Sequence, residues 1–277
     1  MTEGPVVTEI VRYPVKSCRG EALASASVEP WGLAGDRRWM VVGADGEAVT
    51  ARQHPRLLLV TPRREGQVLR LSRPGVPDIE LPLPGGEAAG EALCPVSVWH
   101  HPVLAAEAAK RAHEWFSELL GRSVMFVYLD DPTRRRPDPV YSLPRDRVSF
   151  ADGFPLLLTT TGSLAALNEL IASGPHGEEG PLAMRRFRPN VVVGGTPPWA
   201  EDGWRLLRIG GVEFRVAKGC SRCVLTTIDP DTVVKGREPL VTLARYRHWD
   251  GGVWFGVNLI PEHAGRIRVG DAVEVLE

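Results

Sequence analysis

Short runs of β-branched and aliphatic residues, each closed by a glycine turn or a Pro/Gly cluster, recur along most of this chain. That punctuation limits the fold more than any other feature. The first part reads VVTEIVRYPV, then RWMVVGADGEAVTA with Asp45-Gly46 as a hairpin signal, then LLLVTPRREGQVLRLS turning at Gly66, all antiparallel β. Residues 74–96 crowd Pro, Gly and Ala without a period and are expected to be irregular. A helical period appears in AAEAAKRAHEWFSELLG, where Ala108, Ala112, Trp115, Phe116, Leu119 and Leu120 recur at spacings of three and four and Gly121 suits a C-cap. A second helix is expected in SLAALNELIAS and a short one in EPLVTLARYR, opened by Pro239. SVMFVYL, NVVVGG, WRLLRIGGVEFRVAKG with its turn at Gly210-Gly211, and GRIRVGDAVEVLE read as strands again. The expected fold class is α+β, dominated by β, with the short strands forming a barrel or sandwich. The charged, proline-broken loop DDPTRRRPDP, Asp130 to Pro139, is the expected seam, dividing the chain into 1–125 and 126–277.

A chain of 277 residues buries a real core without staples. Its four cysteines, Cys18, Cys94, Cys220 and Cys223, are too few and too scattered for a secreted disulfide framework, which points to a reducing compartment and the cytoplasm. No run approaches the roughly 18 apolar residues of a membrane span, so no membrane partner is expected. Thirty-three Lys and Arg against thirty-four Asp and Glu give a net charge of −1, which excludes the global basic excess of a nucleic-acid binder. An anion site in this chain has to be local.

The stretch KGCSRCVLTT, Lys218 to Thr227, holds a Cys-x-x-Cys. Structural zinc needs four soft ligands, and neither Cys18 nor Cys94 has a partner at zinc-knuckle spacing. A dithiol redox pair starts a helix, whereas β-branched and turn-forming residues follow here. Cys220 reads as a small buried hydrophobe. Cys223, with Arg222 and Lys218 near it in sequence, reads as a candidate thiolate, hence a nucleophile or metal ligand.

Three stretches place Lys, Ser or Arg at strand ends, where such groups can converge on a phosphate. They are YPVKSCRG with Lys16 and Ser17, GDRRWMV with Arg37 and Arg38, and RRFRPNVVV with Arg185, Arg186, Arg188 and Asn190. Each alone is an ordinary solvated strand terminus.

In chain order, YPVKSCRG, GDRRWMVVGADGEAVTARQHPRL, FRPNVVVGG, GCSRCVLTTIDPDT, EPLVTLARYR and FGVNL with the closing glycine-punctuated strands resemble the MOSC family with its own N-terminal β-barrel domain. Within it the likeness is to the mitochondrial amidoxime-reducing component and its bacterial relatives, and it spans almost the whole chain. The resemblance implies a MOSC β-barrel holding a molybdenum cofactor: one pterin dithiolene, oxo groups, and one protein thiolate on the metal. The ligand it implies is Cys223. It also implies the pterin phosphate near Lys16, Ser17 and Arg37, with Arg188, Asn190, Ser221 and Arg222 lining the cofactor and Gly153 and Phe154 making backbone contacts. The resemblance also puts Asn258 on the cofactor side, where mammalian relatives carry a tyrosine, and PDTVV lacks the glycine that commonly follows PDT. Neither the mammalian membrane anchor nor an iron–sulfur cluster within this chain is expected.

The activity so implied is reduction of N-hydroxylated small molecules (amidoximes, hydroxylamines, N-hydroxylated bases) to amines, with electrons from a separate flavin or haem reductase. The metal carries the chemistry, which suits a sequence with no obvious Ser-His-Asp or paired-carboxylate set. The rival reading is a molybdenum-cofactor or sulfur carrier using Cys223 as a persulfide. Asp229 and Asp231 in IDPDT read as turn chemistry rather than proton shuttles. The TRRRP loop reads as solvated. His100 and His101 point to opposite faces of a strand and receive no role.

Overall fold

The computed structural model describes residues 4–83 and 93–277. The chain enters through β1 (Val6–Arg12), which turns Val7 and Ile10 inward, the register shifting by one residue between Val7 and Glu9. β2 (Glu21–Leu23), β3 (Ser25–Glu29) and β4 (Gly32–Leu33) follow. In β3 the alternation Ala26, Val28 faces the core, the period-two pattern of a half-buried strand. Gly32 has φ +124°, and a Cβ there would lie 2.7 Å from the Pro155 carbonyl oxygen, so this close approach requires glycine. β5 (Trp39–Val42) is buried throughout.

Asp45-Gly46 turns the chain as expected, although the returning segment makes bridges rather than a named strand. β6 (Thr61–Glu65) and β7 (Val68–Ser72) form the hairpin expected at Gly66. β8 (Ile79–Pro82) adds a third strand, and β9 (Leu93–Val98) begins inside the segment expected to be irregular. The expectation for 74–96 is therefore corrected at both ends, and 84–92 lies outside the described residues. β8 escaped notice because only Ile79 and Leu81 carry its alternation, too short a signal against the flanking prolines.

β10 (His101–Glu107) pairs with β9, and α1 (Lys110–Leu120) follows. The helix thus starts later than its alanine-rich lead-in predicts. Ala105 and Ala106 pair with Cys94 and Leu93, because strand pairing outweighs the modest helix propensity of alanine. Gly121 ends α1 at φ +64°, its N–H donating to the Ser117 carbonyl. Ala112, Trp115, Phe116 and Leu119 form the buried stripe of α1, over the sheet β5-β11-β10-β9 that includes β11 (Met125–Tyr128). Trp39 and Phe126 stack there at 4.9 Å.

The second half contributes β12 (Leu156–Thr160), α2 (Thr161–Ala172) capped by the Thr160 hydroxyl, β13 (Val191–Gly194), β14 (Leu206–Ile209) and β15 (Val212–Ser221). α3 (Leu240–Tyr246), β16 (His248–Trp249), β17 (Gly252–Pro261), β18 (Gly265–Arg268) and β19 (Val273–Val275) complete the fold. The large sheet runs β19-β14-β15-β17-β12-β13-β1-β2. β1 pairs with β13 and β3 with β18, so the first strands of the chain belong to the sheets of its second half. Strand pairing crosses the expected division at 125/126, because alternation marks a strand but carries no address for its partner. Two of the apolar clusters are one around Trp39, Leu69, Phe116 and Phe126 and another around Ile10, Leu158, Phe214 and Leu259.

Candidate active site

Cys223 lies two residues beyond the end of β15, and two register shifts, between Val216 and Lys218 and between Gly219 and Ser221, re-aim the strand end against β17. Its Sγ accepts a hydrogen bond from Arg52 Nε at 3.0 Å. Arg52 also pairs with Asp152 at 2.7 Å, and Trp99 lies over its guanidinium at 4.2 Å. The cation beside Cys223 is therefore Arg52, not Arg222 or Lys218. Arg222 donates to Cys220 Sγ at 2.9 Å and to the Phe187 carbonyl at 2.6 Å, and Lys218 Nζ sits 4.1 Å from the Tyr141 ring. Cys220 is correspondingly half-buried and hydrogen-bonded rather than a plain core residue.

Lys16 sits beneath Asp152. It is 5% exposed, donates to the Phe150 carbonyl at 2.7 Å, and shares the Asp152 carboxylate with Arg52. Burial pushes the Lys16 ammonium down to about 8, against the pull of Asp152. Burial would raise the Asp152 carboxyl, but Lys16 and Arg52 outweigh it and hold the group well below the usual carboxylate range. Asp152 faces the cleft, 54% exposed to it, and stays ionised.

Arg37 donates to Asn190 Oδ1 at 3.0 Å and pairs with the fully buried Asp36. Asn190 donates in turn to Asp36 and to the Val11 carbonyl, and its Oδ1 also accepts from Leu157 N. The Asn190 amide is thus fully engaged in crosslinking strand ends and aiming Arg37. Arg37 and Arg188 lie over the Tyr13 ring, at 4.5 and 4.3 Å. Arg188 Nη2 and Arg222 Nε are buried N–H groups with no partner among the described residues. Ser17, Arg37, Trp99 and Arg188, all cleft residues, have positive φ, so strained backbone concentrates here.

These groups line one cleft of about 350 Å3. The residues assigned to the cofactor from sequence all face it: Lys16, Ser17, Arg37, Gly153, Phe154, Arg188, Asn190, Ser221, Arg222, Cys223 and Asn258, and so does Arg186; Arg38 and Arg185 do not, the first donating to the Leu129 carbonyl and the second pairing with Asp231. Asn258 donates to the Gly219 carbonyl at 3.1 Å, bracing the strand that leads to Cys223. Arg52, Asp152 and Trp99 line it too and were not singled out. Arg52 lies inside the quoted stretch ending TARQHPRL and Asp152 directly precedes Gly153, where charge alone does not mark them. Asp152 is the one acid among the described lining residues, against Lys16, Arg37, Arg52, Arg186, Arg188, Lys218 and Arg222. A chain of net charge −1 has gathered a strongly cationic site.

Residues 4–123 match the model of the MOSC N-terminal beta barrel domain, and residues 145–274 match the model of the MOSC domain. The human protein "Mitochondrial amidoxime-reducing component 1" is 34% identical over 98% of this chain and 82% of its own length. The human "Mitochondrial amidoxime reducing component 2" is also 34% identical, over 96% and 82%. This chain belongs to the MOSC-domain family. Against solved structures the backbone likeness is low, with a TM-score of 0.41 to the YuaD protein of Bacillus subtilis, 12% identical over 97% of this chain and 94% of that one.

In this MOSC chain the TRRRP loop is not merely solvated. Arg134 pairs with Asp130 at the surface, but Arg135 is buried and donates to the carbonyls of Ser149, Ala151 and Asp152, stapling the loop that carries Asp152, Gly153 and Phe154. Asp229 behaves as turn chemistry predicts, accepting from the backbone N–H groups of Asp231 and Thr232 at 2.9 Å each.

Proposed function

We propose that this MOSC-family chain is a molybdenum-cofactor-dependent reductase converting N-hydroxylated small molecules, such as amidoximes, hydroxylamines and N-hydroxylated bases, to amines. The observation that carries the reading is the cleft itself: one cysteine thiol held by Arg52 at 3.0 Å, in a lining dominated by lysine and arginine. The residues fit the cofactor. A polar, anionic cofactor suits a wall with donors not already engaged, and Arg188 Nη2 and Arg222 Nε are buried N–H groups without a partner on cleft-lining residues. A soft or high-valent metal takes a cysteine sulfur as ligand, and Cys223 lines this cleft with Cys220. The relatives' names, with identity running over nearly the full chain, support the same class.

Cys223 would ligate the metal. Lys16, Ser17 and Arg37 would hold the phosphate, with Arg188, Ser221 and Arg222 along the cofactor and Gly153 and Phe154 in backbone contact. Asn190 and Asn258 act through others, aiming Arg37 and bracing β15. Bound, the cofactor supplies the two-electron chemistry at which the N–O bond is cleaved. The net change is R–NHOH plus two electrons and two protons to R–NH2 plus water, the electrons coming from a separate flavin or haem reductase. Asp152 does not serve as the acid: held ionised by Lys16 and Arg52, it positions those two cations.

The test is molybdenum per chain by mass spectrometry on protein from a host that makes the cofactor, wild type beside Cys223→Ser, with hydroxylamine turnover under an artificial reductant. Near-stoichiometric metal and turnover in wild type, with loss of both in the variant, support the reading. Metal without turnover favours the cofactor carrier, and no metal in either sinks the reductase reading and leaves the sulfur carrier.

A further inference from the structure

Trp99 occupies a backbone position that disfavours it. His101 pairs with Val98, so Trp99 and His100 are the two central residues of a hairpin, and both have positive φ, 53° and 66°. Two-residue hairpins of this kind favour Asn-Gly or Gly, because a bulky side chain is strained there. The indole nevertheless lies over Arg52, 4.2 Å from guanidinium carbon to ring centroid, and Arg52 donates to Cys223 Sγ. It also keeps 38% of its surface exposed while lining the cleft. Strained backbone and exposed aromatic surface both oppose folding, and both fall on one residue beside the thiol.

Resting on the reductase reading, we propose that Trp99 is a specificity-determining residue, the wall on which the planar aryl or heteroaryl part of an N-hydroxylated substrate stacks. Arg52 engages the indole through a cation–π contact, and the residue keeps exposed surface that a substrate ring would cover. The other cleft aromatics offer less: Phe187 is fully buried against Phe255 at 4.0 Å, and Phe154 sits beside Gly153 in the loop stapled by Arg135. Stacking by face tolerates ring substituents and discriminates against small aliphatic substrates. It is a property of this hairpin tip, not of the cationic groups below it.

Benzamidoxime and acetamidoxime share the reacting group and differ in phenyl against methyl. Each is titrated by calorimetry into the holoprotein for wild type, Trp99→Phe and Trp99→Gly, with molybdenum per chain measured in every preparation. Glycine is at home at positive φ, so Trp99→Gly keeps the hairpin while removing the ring. Wild type should bind benzamidoxime about tenfold more tightly than acetamidoxime, Trp99→Phe should keep the preference within about threefold, and Trp99→Gly should lower it to about twofold or less. The ratio of kcat/KM values for the pair should move in parallel. An unchanged preference in Trp99→Gly overturns the proposal. If wild type reduces neither compound, the reductase reading fails, while the binding preference still decides the role of Trp99.

Discussion

Lys16 governs how the cleft responds to pH. Its ammonium is held at about 8 by burial, so it loses charge on passing from neutral to mildly alkaline pH, while Arg37 and Arg52, raised against burial by their carboxylate partners, keep theirs. Sulfate, whose charge is constant over this range, should bind about fivefold more weakly at roughly pH 9.5 than at roughly pH 7, and Lys16→Met should remove that dependence. Calorimetric titration at the two pH values checks it. Stability should move the opposite way. The folded-state value lies below the ordinary 10.5, so between about 8 and 10.5 the unfolded chain binds more protons, and the fold gains stability as pH rises through that window. At the same scale, the cation that meets Cys223 could not be read from its sequence neighbours. Arg52 is 171 positions away, while Arg222, the residue next to Cys223, turns to Phe187 and Cys220 instead.

Among the elements, the helices were legible where apolar periodicity was long, as in α1 from Ala112 onward, and illegible where alanine left the period ambiguous, as at Ala105 and Ala106. The loop before β12 shows what periodicity cannot detect. Its shape depends on one buried guanidinium, Arg135, satisfying the carbonyls of Ser149, Ala151 and Asp152. Arg135→Ala should destabilise the chain by about 2–4 kcal/mol, since buried carbonyls lose charge-assisted partners. Urea denaturation measures that loss. Molybdenum content should fall with it, because Asp152, Gly153 and Phe154 ride on the same loop; a variant with full stability and full metal would refute the staple.

For the molecule as a whole, the entry strand ties the two halves together. Ile10 is 1% exposed and pairs with Val191, so β1 is a strand of the large sheet while the chain continues into the sheet under α1. Unfolding should therefore be a single transition, with tryptophan fluorescence and far-ultraviolet circular dichroism coincident. Ile10→Ala should cost about 2–5 kcal/mol and shift both probes equally. Two separated transitions, only one moved by the substitution, would show halves that fold independently.

Local chemistry was decided by the sequence alone. Period-two alternation and glycine turns made the chain β-dominated, a near-neutral balance of charge confined any anion site to a local cluster, and KGCSRC marked the thiol. Long-range placement was decided only by tertiary structure. Strand pairing put β1 beside β13, and packing brought Arg52, Trp99 and Asp152 around Cys223. The reason is that alternation specifies which face of a strand is apolar but leaves its neighbour open. A charged side chain in a loop reads as solvated until the fold brings its partner within hydrogen-bond reach.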